Sequence, residues 1–262
     1  MNFLRLVLRK TWRFLFFLNG VFTFTLLYPI FYVLLSREEW FDKVFNLKKI
    51  WAKMIINNVG IRCKILSSPV LDPLKPYVIC PNHASFLDIV LTYIVVPNYF
   101  HFMGKAELKK VPFFNKFFDK MNILVDRSSI IGSHKAFIRA GNDLDKGISI
   151  SIFPEATIPA CAPKLGRYKN GAFKLAIDKQ VPILPVVFLD NWWILPDGIR
   201  KKTGGTPGLA RVVIHDPIET KGFTDRDLEK LKKIVHDKIN DTLIEYHCCP
   251  QSEKIEMPKK MA

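Results

Sequence analysis

Acidic side chains are scarce in this chain of 262 residues: 24 Asp and Glu stand against 39 Lys and Arg, a formal net charge of +15. So basic a protein has three ordinary classes of partner: nucleic acid, an anionic membrane surface or a polyanionic substrate. Paired cysteines are missing too. The five present, Cys63, Cys80, Cys161, Cys248 and Cys249, form no CxxC and no paired-ligand spacing. Neither a disulfide framework nor a zinc site is indicated, and a reducing compartment fits. No Gly-x-Ser-x-Gly elbow occurs, which argues against a hydrolase of the common α/β type. Internal repeats, low-complexity segments, RNA-recognition signatures and zinc-finger spacings are likewise absent from the sequence.

What is present is apolar. A hydrophobic fraction of 49% with 21 Phe excludes a disordered tail-binder, which buries too little surface to offset chain entropy. The length allows one sizeable α/β domain and an appendage, because single cores stop growing near roughly 250–300 residues.

Phe14 to Leu35 carries no charged side chain, and basic residues flank it on both sides: Arg5, Arg9, Lys10 and Arg13 before, Arg37, Lys43, Lys48, Lys49 and Lys53 after. As a helix this run is long enough to span a bilayer, which takes about 20 residues, and longer than the ~7–15 apolar residues of a secretory signal. Asn19, Gly20 and Pro29 interrupt it, and Trp12, Trp40 and Trp51 sit where interfacial anchors would. A hairpin embedded in one leaflet therefore fits about as well as a span. Either way the expected location is a membrane.

Beyond residue 60 short apolar runs alternate with amphipathic stretches. Tyr77 to Cys80, Phe100 to Met103, Ile123 to Val125, Ile148 to Phe153, Val181 to Leu189 and Arg211 to Ile214 read as strands. His134 to Leu144, Ala172 to Ile177 and Asp225 to Tyr246 read as helices. The fold class is α/β, a mostly parallel sheet flanked by helices and preceded by an N-terminal hydrophobic helical membrane segment. The expected divisions are a membrane-associating segment over 1–58, an α/β domain over 59–220 and a C-terminal amphipathic helix with a basic tail over 221–262. Ligands of such sheets bind beyond the carboxyl ends of the strands, so the turns there matter most.

The first of these turns runs Pro81-Asn82-His83-Ala84-Ser85-Phe86-Leu87-Asp88. With six His and 15 Asp, chance alone supplies about 0.3 His-x4-Asp pairs, and His236 with Asp241 is a second instance. Those two lie within a continuous helix, where five residues turn through about 140°, so that pair does not readily meet. His83 instead follows a strand and precedes a helix that Ser85 can cap, which leaves Asp88 free to fold back on the imidazole. Two readings stay open: a capping box whose acid is Asp88, or a working His–Asp pair. In the second, the imidazole takes a proton from a hydroxyl as that oxygen attacks a carbonyl, and the carboxylate fixes the tautomer.

Later turns add Gly104-Lys105-Ala106-Glu107, Val125-Asp126-Arg127, Phe153-Pro154-Glu155-Ala156-Thr157 and Val181-Pro182-Ile183-Leu184-Pro185-Val186. Together with Asn82-His83-x4-Asp88, these resemble the four ordered motifs of the lysophospholipid acyltransferase family, which includes the 1-acylglycerol-3-phosphate acyltransferases. The resemblance covers about residues 60–190, and order, spacing and strand-turn placement agree.

The resemblance implies transfer of a fatty acyl group from acyl-CoA or acyl-acyl carrier protein to the hydroxyl of a lysophospholipid, most directly 1-acylglycerol-3-phosphate, giving phosphatidic acid at a membrane with the site facing the cytoplasm. His83 becomes the general base and Asp88 its orienting partner. Lys105 and Arg127 would hold the acceptor's phosphate, and Glu155 with Thr157 would position its head or the loop that does so. Backbone N–H groups at the adjacent helix N-terminus are the expected oxyanion donors. Neither a metal nor a resident cofactor is expected, and no nucleic acid.

One departure stands out. Family members typically read Phe-Pro-Glu-Gly-Thr-Arg where this chain reads Phe153-Pro154-Glu155-Ala156-Thr157-Ile158, so a fixed charge is missing. Lys164, Arg167 or Lys169 would replace it, or the acceptor is a lyso-aminolipid without a phosphate monoester. A non-catalytic basic module for lipid or RNA is the alternative of another class, resting on the interleaved basic and aromatic residues of Lys110 to Lys120.

Overall fold

The computed structural model describes residues 3–105, 120–126, 129–197 and 202–248, with the side chain of Lys105 outside that description. Two helices open the chain, α1 over Phe3–Leu34 and α2 over Phe41–Asn58. There follow β1 (Ile61–Ser67), β2 (Val78–Pro81), α3 (Leu87–Val95), β3 (Phe100–Lys105), β4 (Asn122–Val125), α4 (Ile130–Asp145) and β5 (Ser149–Ser151). The last elements are α5 (Gly171–Lys179), β6 (Ile183–Phe188), the single turn α6 (Asn191–Ile194), β7 (Gly208–Ile214) and α7 (Leu228–Glu245).

The seven strands form one sheet in the order β1-β7-β6-β2-β5-β3-β4. The five from β6 to β4 are mutually parallel, while β7 pairs antiparallel with β6 and carries β1 parallel to itself. The mostly parallel α/β sheet read from the sequence is the fold. Side-chain alternation divides β6 between two cores: Leu184, Val186 and Phe188 meet α1, α2 and α3 on one face, and Ile183 and Val187 meet α4, α5 and α7 on the other. On α7, Leu231, Val235, Ile239 and Leu243 recur at four-residue spacing and are buried, which packs that helix through one stripe. A capping box closes the turn before it, Thr224 and Asp227 each satisfying the other's backbone N–H.

Three elements, β1, α2 and the single turn α6, were not singled out by pattern. In Ile61–Ser67 only Ile61 is buried, and the strand sits at the sheet edge beside β7 alone, so the alternation of Ile61, Cys63 and Ile65 with Arg62 and Lys64 is its one signal in the sequence. Helix α2 lies in the N-terminal stretch read only for its charges and tryptophans, yet it buries Val44, Phe45, Leu47, Ala52, Ile55 and Ile56.

Helix α1 is the one described helix long and apolar enough to cross a membrane. Its buried residues Phe16, Thr23, Phe24 and Phe31 form a stripe of seven- to eight-residue spacing, whereas Phe14, Leu18, Val21, Phe22 and Leu26 are exposed. Polar ties hold it to the rest of the chain along its length. Arg9 Nε donates to the Thr203 carbonyl at 2.9 Å, Trp12 Nε1 to Val59 at 3.0 Å, Asn19 Nδ2 to Ile55 at 3.0 Å, and Lys120 Nζ to Leu35 at 2.8 Å. Gly204 and Gly205 permit the close approach, since a Cβ would stand 2.4 Å from the Arg9 backbone at the first and 2.5 Å from the Trp12 ring at the second.

Candidate active site

Strand β2 ends at Pro81, and the side chain of Asn82 carries the pairing one residue further. Its Oδ1 accepts from the Phe188 N–H at 2.7 Å and its Nδ2 donates to the Phe188 carbonyl at 3.1 Å, as a strand residue would. The main chain is thereby released to turn. His83 follows, and its backbone N–H donates to Glu155 Oε1 at 2.8 Å rather than to the sheet.

The turn then brings His83 Nδ1 to 3.0 Å from Asp88 Oδ2. That same oxygen accepts the N–H groups of Ala84 at 2.7 Å and Ser85 at 2.8 Å, and Oδ1 accepts from Asn191 Nδ2 at 2.7 Å. Asp88 is wholly buried. With an acceptor facing it, Nδ1 carries the imidazole proton and Nε2 is left with its lone pair. Among the described residues nothing takes Nε2. The ring is held flat by Phe153, stacked at 3.9 Å between centroids and 17° between planes, with Phe102 stacked behind at 6.0 Å. Asp88 Oδ2 thus takes both the imidazole contact and the acid half of a capping box with the Ser85 N–H.

Those contacts have a consequence at the start of α3. The N–H groups of Ala84 and Ser85 point to Asp88, that of Leu87 to Ser85 Oγ, and those of Asp88 and Ile89 to the carbonyls of Ser85 and Phe86. These five donors are already occupied, and of the N–H groups from Ala84 to Ile89 only that of Phe86 has no partner among the described residues.

Glu155 stands beside the turn, at the end of the segment after β5. Its Oε1 holds the His83 N–H and its Oε2 the Gly166 N–H at 2.6 Å, so it ties the His83 turn to the loop containing Lys164, Arg167 and Lys169. Burial pushes its carboxyl up to about 7, against the downward pull of those two N–H donors and of His83. Ala156, the next residue, has φ of 64°, the left-handed region that an L side chain disfavours. Thr157 is exposed, Ile158 and Lys164 half-buried, and Arg167 and Lys169 exposed. Lys105 closes β3 at the same rim of the sheet, but its side chain and the whole of Arg127 lie outside the described residues, as does most of Lys110 to Lys120.

The structure thus unites His83, Asp88 and Glu155 from the sequence reading, and adds Asn191 and Phe153, whose parts in the site went unread. Phe153 was placed at a strand end by its motif; Asn191 lies 103 residues from Asp88 in a segment with no motif. The rival pair separates as helical geometry demands, His236 meeting its neighbour Asp237 at 3.4 Å.

Known proteins share this arrangement of sequence and fold. The family described as Acyltransferase matches residues 65–189. An uncharacterized acyltransferase of Schizosaccharomyces pombe is 32% identical over 193 residues, 71% of this chain and 67% of the relative. The 1-acyl-sn-glycerol-3-phosphate acyltransferase alpha of Mus musculus is 28% identical over 191 residues, 72% of this chain and 65% of its own length. The crystal structure of the 1-acyl-sn-glycerophosphate acyltransferase from Thermotoga maritima has the same fold, with a TM-score of 0.76 at 23% identity over 94% of this chain and 100% of that one. The matched stretch contains the His83 turn, the Glu155 segment and β6, and on these grounds the chain belongs to the acyltransferase family and is an O-acyltransferase.

Proposed function

We propose that the protein moves a fatty acyl group from an acyl thioester, acyl-CoA or acyl-acyl carrier protein, to the free hydroxyl of a lysophospholipid, with 1-acylglycerol-3-phosphate as acceptor and phosphatidic acid as product. The observation that carries this reading is the His83 ring, pinned at Nδ1 by Asp88 with Nε2 open at the carboxyl end of the parallel strands. Nε2 accepts the hydroxyl proton as the acceptor oxygen attacks the thioester carbonyl. When the tetrahedral adduct collapses, the C–S bond breaks and the imidazolium returns the proton to the departing thiolate. Asp88 stabilises the transient imidazolium. No serine nucleophile is needed, because the acceptor's own hydroxyl does that work.

Lys105 and Arg127 are retained in the phosphate-binding motif, and they support lysophosphatidate as acceptor although Ile158 replaces the usual Arg. Purified protein in detergent, given oleoyl-CoA and either lysophosphatidate or a lyso-aminolipid, distinguishes the acceptors by mass spectrometry of the product. Acylation of the aminolipid alone would overturn the assignment.

The membrane reading takes a definite form from α1. Arg9 and Leu35 both bind the same domain, yet they stand 26 positions apart along and just past α1, about 39 Å at 1.5 Å per residue. A helix crossing the ~30 Å hydrocarbon core would carry one of those contacts to the far side. We infer that α1 lies in one leaflet, its exposed Phe and Leu side chains in lipid and the site at the cytoplasmic surface. Single cysteines placed at Asn2 and Ser36 should both react with an impermeant reagent from the same side of sealed vesicles; labelling from opposite sides would mean a span.

A further inference from the structure

The least expected member of the site is Asn191, and we propose that it is a positioning residue that sets the orientation of Asp88 and, through it, the proton-accepting state of His83. The proposal rests on the assignment of His83 as general base and deepens it. Asn191 touches no reacting atom. Its side chain is fully buried behind Asp88, on the side of the carboxylate away from His83 Nδ1, and its Nδ2 donates to Asp88 Oδ1 at 2.7 Å.

The other oxygen, Oδ2, is shared by three donors: Nδ1 of His83 and the backbone N–H groups of Ala84 and Ser85. Those three come from one turn of chain and move with it. Asn191 comes from a different segment, and it fixes the rotation of the carboxylate about its Cβ–Cγ bond against the sheet. The segment itself is well anchored. Asp190, just before it, grips Arg211 of β7 with both oxygens, at 2.8 Å to Nε and 2.7 Å to a terminal nitrogen, and also accepts the Arg211 N–H at 2.9 Å. Four residues after Asn191, the Leu195 carbonyl accepts from Ser85 Oγ at 2.7 Å. One short stretch, 190–195, thus holds the His83 turn at two points and is held in turn by β7.

A second observation separates this role from packing. Among the described residues no donor reaches Asn191 Oδ1, although that atom is buried. A buried acceptor without a partner is destabilising, and an apolar side chain of the same shape would avoid it. The amide is explained by its other end: only a donor suits the oxygen of a carboxylate.

Two substitutions test this in opposite directions. Asn191→Leu keeps the shape and removes the donor, so Asp88 Oδ1 is left buried and unpaired. Asn191→Asp keeps the shape and offers a donor only while the introduced carboxyl is protonated, because two carboxylate oxygens this close share one proton. With oleoyl-CoA and lysophosphatidate, or whichever lysolipid wild type acylates, kcat of Asn191→Leu should fall roughly 10–100-fold, the usual effect of losing an outer partner, with KM for both substrates unchanged. The acid limb of its kcat/KM profile should move to higher pH. Asn191→Asp should instead lose rate on the alkaline side, where the introduced carboxyl ionises. Thermal unfolding of both variants, run in parallel, checks that they are folded. Wild-type profiles for both variants beside an inactive His83→Ala would overturn the proposal and leave the base assignment standing. So would an equal loss in both with neither limb displaced, the sign of general structural damage. A wild-type protein inert toward every lysolipid would instead remove the functional reading, and the proposal with it.

Discussion

His83 and Asp88 lie 3.0 Å apart beyond the carboxyl end of β2, and His101 and Asp143 lie 2.9 Å apart near the amino end of β3, on the far side of β5. By distance the two pairs are the same. They differ in what the second ring nitrogen meets. His101 Nε2 faces the Tyr99 hydroxyl at 3.1 Å, which closes a buried Tyr–His–Asp chain, whereas His83 Nε2 has no partner among the described residues. A short His–Asp contact is a way to satisfy buried polar groups as readily as a way to make a base, and the outer nitrogen decides which it is.

The largest test of that distinction exchanges the two histidines' fates. His83→Ala should lower kcat by about 10²–10⁴-fold while the thermal midpoint changes little. His101→Ala should leave acyl transfer per folded molecule unchanged and lower stability by about 1–3 kcal/mol, because Asp143 and Tyr99 lose a shared buried partner. Coenzyme A release and thermal unfolding measured on both proteins settle it, and a catalytic loss of similar size in both would erase the difference.

A smaller effect concerns Glu155, which binds the His83 turn. Its carboxyl sits at about 7 in the folded protein, raised mainly by burial, against about 4.3 in an unfolded chain. Between those values the folded state binds this proton more tightly than the unfolded one, so the contribution of Glu155 to stability is full below about pH 4.3 and is lost as pH rises through about 7. The span is on the order of 3 kcal/mol. Glu155→Gln should flatten that slope while losing one of the two N–H contacts, which unfolding midpoints between pH 5 and 8 would show. An unchanged slope would place the titration elsewhere.

The smallest effect lies one residue on. Ala156→Gly relieves the positive φ of 64° and should stabilise the protein by under about 1 kcal/mol, since the gain is offset by the freer unfolded chain. Activity should be unaltered. A clear loss of stability in denaturant titration would mean that the alanine methyl is needed for packing there.

Legibility follows how far apart in sequence the interacting residues lie. The parallel strands were readable because each is a short apolar run bounded by turn residues, and the His83 turn was readable because imidazole and carboxylate sit five residues apart on either side of a strand-to-helix corner. Edge strand β1 does alternate, Ile61, Cys63 and Ile65 with Arg62 and Lys64, a period-2 signal that the sequence reading passed over. Asn191 and the His101–Asp143 pair depend on contacts across 103 and 42 residues, and nothing near either asparagine or histidine in the chain announces its partner. The choice among oxyanion donors was not legible for a local reason: the carboxylate that meets His83 also occupies the N–H groups of Ala84 and Ser85.

Asn82 has a bearing on all of this. Because its amide accepts from and donates to Phe188, it reads the position of β6 and indexes the turn to it, much as a detent stops a dial at one setting. Aspartate would lack the donor and glutamine would overshoot by a methylene, so either would release the click. Phe188 is also the last residue of β6, three before Asn191. The residue that starts the His83 turn and the residue that steadies Asp88 are thus gauged from the end of one strand, and a slip of that strand by a single residue would throw both out of register together.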